Sequence, residues 1–146
     1  MLKPVPVAIA LLVLASGPAL AAQACPMING KFSKEIFDNG KLLGSMVLTI
    51  ATQKTGASYS YRVEDETTYR PADGKRRLIV FKDGVRGTVA LSYKDNTLIA
   101  ETVTVQDGVK SSAIQKVRPD GPNRVLVEQG STTGADESGV YERERN

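Results

Sequence analysis

The side chains this chain lacks set the first bounds on its chemistry. It has no histidine and a single cysteine, Cys25, among 146 residues. A Ser-His-Asp or Cys-His relay therefore cannot be assembled, and neither can a histidine-based zinc site. Cys25 has no base beside it in the sequence. Carboxylates are the remaining option. Asp65 and Glu66 are adjacent, so on a strand they point to opposite faces and cannot flank one substrate. Glycoside hydrolysis needs two carboxylates at a fixed separation, and no pair here supplies it. No ligand spacing around Asp65 and Glu66 makes a calcium loop. Ser33 and Lys34 alternate faces and form no dyad. Glu101 is expected to pair across strands with Arg77 or Lys116 rather than to act as an acid. The residues thus predict no catalytic site, no cofactor and no metal.

Binding chemistry is what remains. Arg70, Lys75, Arg76, Arg77, Lys82 and Arg86 form a basic run that could attract phosphates. Asp73 and Asp83 interrupt it, the net charge is only +3, and Phe81 is the one aromatic placed to stack a base. These features argue against nucleic acid and for a solvated face. Tyr59 and Tyr61 offer two hydroxyls to a ligand, or, as buried tyrosines more often do, to a neighbouring backbone group.

The elements that must position these residues read as strands. Asp83-Gly84, Asp95-Asn96 and Asp107-Gly108 each separate two β-rich runs and predict three two-residue hairpin turns between Arg76 and Val117. The implied register sets Phe81 against Arg86, Leu91 against Ala100, and Val105 against Lys110. Alternation then sorts the residues into two faces. The predicted interior holds Leu78, Val80, Val85, Val89, Leu91 and Leu98. It also holds a smaller, partly polar wall of Ala100, Thr102, Thr104, Ser111, Ala113 and Gln115. Small side chains leave volume, so Thr102, Thr104, Ser111, Ala113 and Gln115, with Tyr59 and Tyr61 opposite, are the candidate ligand-binding residues. The predicted outer face gathers Ile79, Phe81, Val103 and Val105, with Arg86 and Lys110 at its rim. Such an apolar patch is a candidate protein-binding surface unless the N-terminus or the Pro119–Asn123 connection covers it.

Further turn signals at Asn39-Gly40, Gly56, Asp73-Gly74, Asp120-Gly121 and Gly134 separate runs over 31–37, 41–51, 58–70, 124–129 and 139–143. No segment past the N-terminal region has a helical period. The expected fold is all-β: an antiparallel up-and-down meander of eight or nine strands, closed as a barrel. Ahead of it, Lys3, the apolar run Val5–Leu14 and Ala19-Leu20-Ala21 have the form of a signal peptide. The run is too short for a transmembrane segment. The expected domains are 1–21, a signal peptide with cleavage possible up to residue 24, and 22–146, a single β-barrel domain in a periplasmic or secreted protein. Cys25 raises the question of a lipid anchor. Bacterial lipoprotein sites want a Leu-like residue where Ala22 stands, and Gln23 is unusual there, which argues against one.

The stretch Cys25-Pro26-Met27-Ile28-Asn29-Gly30-Lys31-Phe32 resembles the Gly-x-aromatic opening of lipocalin-like (calycin) barrels. In those the aromatic is usually Trp, and this chain has none. The closing Gly139-Val140-Tyr141-Glu142-Arg143 is similar to their last strand, whose basic residue packs near the opening aromatic. The resemblance is confined to the two chain ends. It implies a binding protein for a small apolar or amphipathic ligand, or an inhibitor of an envelope or secreted hydrolase, rather than an enzyme.

Overall fold

A computed structural model describes residues 25–63, 68–81, 84–132 and 138–145. The expectations for residues 1–24, and for Asp65 and Glu66, lie outside them. Ten strands follow one another: β1 (Gly30–Asp38), β2 (Lys41–Thr55), β3 (Ser58–Val63), β4 (Arg70–Pro71), β5 (Arg76–Val80), β6 (Arg86–Lys94), β7 (Thr97–Gln106), β8 (Val109–Pro119), β9 (Arg124–Ser131) and β10 (Gly139–Arg143). They form one antiparallel sheet in the order β4-β3-β2-β1-β10-β9-β8-β7-β6-β5. No helix occurs among the described residues. The meander is as expected, with ten strands rather than eight or nine. The run expected at 58–70 contributes two of them, β3 and the two-residue β4.

The first and last strands of the chain pair with each other, Phe32 with Arg143 and Ser33 with Glu142. The free edges therefore fall in mid-chain, at β4 and β5, and strand hydrogen bonds do not close the sheet. Two bonds between described residues reach across the gap. Gly74 N–H donates to the Leu91 carbonyl at 2.7 Å, and Arg70 Nη1 donates to the Leu78 carbonyl at 3.2 Å. The sheet curls enough for inward residues of strands far apart in its order to share one core. Phe32, Leu48, Ile50, Tyr61, Val89, Leu91, Leu98, Val117, Val125, Val127 and Tyr141 form that cluster, with Ile28 from the N-terminal segment. Burying so many branched and aromatic side chains in one contiguous cluster is the main force holding the curl.

Two of the three core turns have the predicted length and register. Asp95 and Asn96 have φ of 51° and 57°, and Asp107 and Gly108 have 51° and 76°. Positive φ at both central residues is the twist-matched hairpin geometry. Leu91 faces Ala100 and Val105 faces Lys110, as read from the sequence. The third turn differs by one residue. Val80, not Phe81, faces Arg86. Phe81 N–H instead bonds the Val85 carbonyl, and Gly84 N–H returns to the Phe81 carbonyl, both at 2.9 Å. Gly84 takes the left-handed conformation (φ 81°), as the last residue of a three-residue loop does.

That single residue turns β5 over. Leu78 and Val80, expected inside, are 79% and 65% exposed. Ile79, expected outside, packs on the core. Phe81, opposite inward Val85, shares its face. The outer apolar patch survives with different members: Leu78 and Val80 join Val103 and Val105 across Thr88 and Arg86. Among the described residues, neither the segment from Cys25 nor the Pro119–Asn123 connection covers it, since Val105 is also 56% exposed. Arg76, on the same side of β5 as Leu78, also lies outside. It bonds the Thr88 hydroxyl at 3.0 Å and pairs with Glu101 at 3.4 Å. That partner replaces the Arg77 or Lys116 expected for Glu101.

Candidate functional site

Four rows of inward residues run across the sheet, and their character changes from one end of it to the other. At one end stand Tyr93, Leu98, Val117 and Val127, and in the next row Leu91, Ala100, Gln115 and Gln129. Beyond these come Val89, Thr102, Ala113 and Ser131, and finally Gly87, Thr104 and Ser111. Leu98, Val117 and Val127 are fully buried. Thr102, Thr104, Ser111, Ala113 and Gln115 are only half-buried although they face inward. An inward side chain stays solvent-accessible only where nothing packs on it, so the interior is filled at one end and open at the other. The structure thus brings together all five of the small wall residues singled out in the sequence.

The filled end is built differently from expectation. Tyr61 has no exposed surface. Its hydroxyl donates to the Pro26 carbonyl at 2.9 Å and lies 2.9 Å from the Cys25 thiol. Burial, and then the contact with Cys25, push its ionisation well above the ordinary tyrosine range. It is part of the floor, not of the open wall. Tyr59 also lies at this end, half-buried, edge-on to Tyr93 with ring centroids 5.7 Å apart and with the Lys54 ammonium 5.6 Å from its own. Cys25, read from the sequence as partnerless, is held by Tyr61. Burial raises its thiol above the usual range even though the Tyr61 bond and Lys54 act to lower it.

The two chain ends lock beside this floor. The Arg143 guanidinium lies over the Phe32 ring at 4.8 Å, donates to the Asn29 carbonyl at 2.6 Å and reaches the Pro122 carbonyl at 3.2 Å. Nearer the open end stand two residues that sequence reasoning missed as site residues, Lys34 and Gln129. Lys34 follows buried Phe32 by two positions and so also faces inward, opposite Met46. Its ammonium donates to the Ser138 carbonyl. The Ser138 hydroxyl in turn accepts from Gln129 N–H at 2.8 Å. Gln129 Oε1 is buried with no hydrogen-bond partner. No cluster of three or more metal-ligating side chains occurs among the described residues.

On the outer face, Arg86, Val103, Val105 and Lys110 sit together as the sequence placed them, but Ile79 and Phe81 do not join them. A shallow groove of about 350 Å³ is lined by Ile114, Lys116, Glu128, Gln129, Gly130 and Ser138. Comparison with protein-family models, with curated proteins and with solved structures gave no match.

Proposed function

We propose that this chain is an exported, non-catalytic binding protein, a lipocalin-like barrel that holds a small apolar or amphipathic ligand at the open end of its interior. The observation that carries the reading is the half-buried inward wall of Thr102, Thr104, Ser111 and Ala113 above a filled floor. Interior surface left unfilled loses contacts on every side, and a ligand restores them. Arg143 over Phe32 supports the likeness to lipocalin-like barrels. Export rests on the leader-like residues 1–21 and places the protein in the periplasm or outside the cell. With neither histidine nor a paired carboxylate available, no residues here are assigned a catalytic role.

The test is a titration with N-phenyl-1-naphthylamine, whose emission rises in an apolar pocket. Saturable enhancement is expected, and it should be lost in Ala113→Trp and Thr104→Phe, which fill the wall, while far-UV circular dichroism stays unchanged. No saturable enhancement, or enhancement untouched in two folded variants, would overturn the proposal.

The second reading is a protein-interaction module, such as a hydrolase inhibitor, that works through the outer face. Leu78, Val80 and Val105 favour it, since each is more than half exposed within one patch. Val103→Glu with Val105→Glu should leave the fold intact and abolish partner capture or self-association.

A further inference from the structure

Two polar residues, Lys34 and Gln129, take inward positions of their strands near the open end. Lys34 projects inward from β1, and no carboxylate meets it among the described residues. Its one hydrogen bond goes to the Ser138 carbonyl, which leaves two of the three ammonium donors unused. The position is specifically accommodated. Gly139 lies beneath the lysine stem, and a Cβ there would come within 2.8 Å of Nζ, 3.0 Å of Cε and 3.1 Å of Cδ. Glycine at this point of β10 is what lets the lysine lie across the inner face. Ser138 links the ammonium to Gln129, whose backbone N–H bonds the Ser138 hydroxyl. Gln129 Oε1 then ends in a buried place with no donor. An orphaned buried acceptor carries a cost, and so does an inward ammonium without a counter-ion, so a ligand that partners both gains from each.

Resting on the ligand-binding reading above, we infer that the ligand is a carboxylate amphiphile that enters acid-first. Its carboxylate meets the free donors of Lys34. A hydroxyl or amide N–H a few atoms along its chain donates to Gln129 Oε1. The apolar remainder runs up past Ala113 and Thr104 toward the open end. Lysine contributes a compact point charge rather than a bidentate fork, which suits a single carboxylate group. Because Gln129 lacks a donor rather than an acceptor, a plain fatty acid satisfies only half the site.

The test compares octanol, octanoate and N-octanoylglycine by isothermal titration calorimetry with the exported protein. A hydrogen-bonded charge is worth about tenfold or more in affinity. Octanoate should therefore bind at least about tenfold tighter than octanol, and N-octanoylglycine tighter again. In Lys34→Met the octanoate-to-octanol ratio should fall to about one, and Lys34→Arg should restore it. In Gln129→Leu the advantage of N-octanoylglycine over octanoate should vanish. If Lys34 serves only as a clamp on Ser138, Lys34→Met weakens octanol and octanoate alike and keeps their ratio, which overturns the inference. Octanol binding as tightly as octanoate to the unaltered protein also overturns it and leaves the ligand-binding reading standing. If none of the three binds, both are overturned.

Discussion

Arg143 joins the two ends of the sheet's strand sequence. It spends its guanidinium on two backbone carbonyls and on the face of Phe32, and so ties the start of β1 to the end of β10. Charge-assisted hydrogen bonds and a stacked cation are each worth of the order of 1 kcal/mol or more. Arg143→Met should therefore lower stability by about 2–3 kcal/mol, read from the urea midpoint with an unchanged slope. Tyr61 is the second such residue. Tyr61→Phe leaves the Pro26 carbonyl unpartnered in a buried place, and should cost about 1–3 kcal/mol. Cys25 gives a reactivity prediction. Because burial holds its thiol protonated above the ordinary range, iodoacetamide should modify it more slowly at pH 8 than it modifies a small free thiol. Its rate should keep climbing at pH values where the free thiol has levelled off. A rate matching the free thiol would show that burial does not shelter Cys25.

At the level of elements, β5 is the informative strand. Leu78, Ile79 and Val80, with Phe81 just after them, are apolar on both faces, so hydrophobic alternation could not choose a register, and the turn had to. Asp-Gly serves both a two-residue loop and the end of a three-residue one, and here it is the latter. Ile79→Glu should therefore unfold the protein, whereas Leu78→Glu should leave the melting temperature within a few degrees of the parent. The reverse order would restore the register read from the sequence. Where the turns hold two residues, as at Asp95-Asn96 and Asp107-Gly108, the sequence was enough: Thr102, Thr104, Ser111, Ala113 and Gln115 all face inward. A β-bulge hid another feature. The β1–β2 register shifts between Ile36 and Phe37, which moves Leu42 off the face shared by Met46 and Leu48 and leaves it exposed. Lys34 and Gln129 were illegible for another reason. Each is a polar residue at an inward position of its strand, where the expected pattern of apolar-in, polar-out gives no mark of it.

At the level of the whole molecule, the seam between β4 and β5 replaces the closed wall expected of a barrel. The connection between the two strands is pinned instead of paired. Asp73 takes both Arg77 guanidinium nitrogens, at 2.6 and 2.7 Å, and this contact, with the Lys75 backbone N–H, holds its carboxyl well below the usual carboxylate range. The Asp73–Arg77 pair should consequently persist as pH falls past the point where ordinary carboxylates protonate, and the seam should not be the first part to loosen in acid. A carboxyl titration by NMR checks this directly. A normal Asp73 midpoint would remove the pin. Beside the seam lies the open end of the interior, and the account stands or falls on whether that space is used. Native mass spectrometry of the protein purified from its own host measures it most directly. The account predicts a small-molecule mass retained on the folded protein and absent from Ala113→Trp. Bare protein mass in both, together with no mass gained on adding N-octanoylglycine, would contradict it.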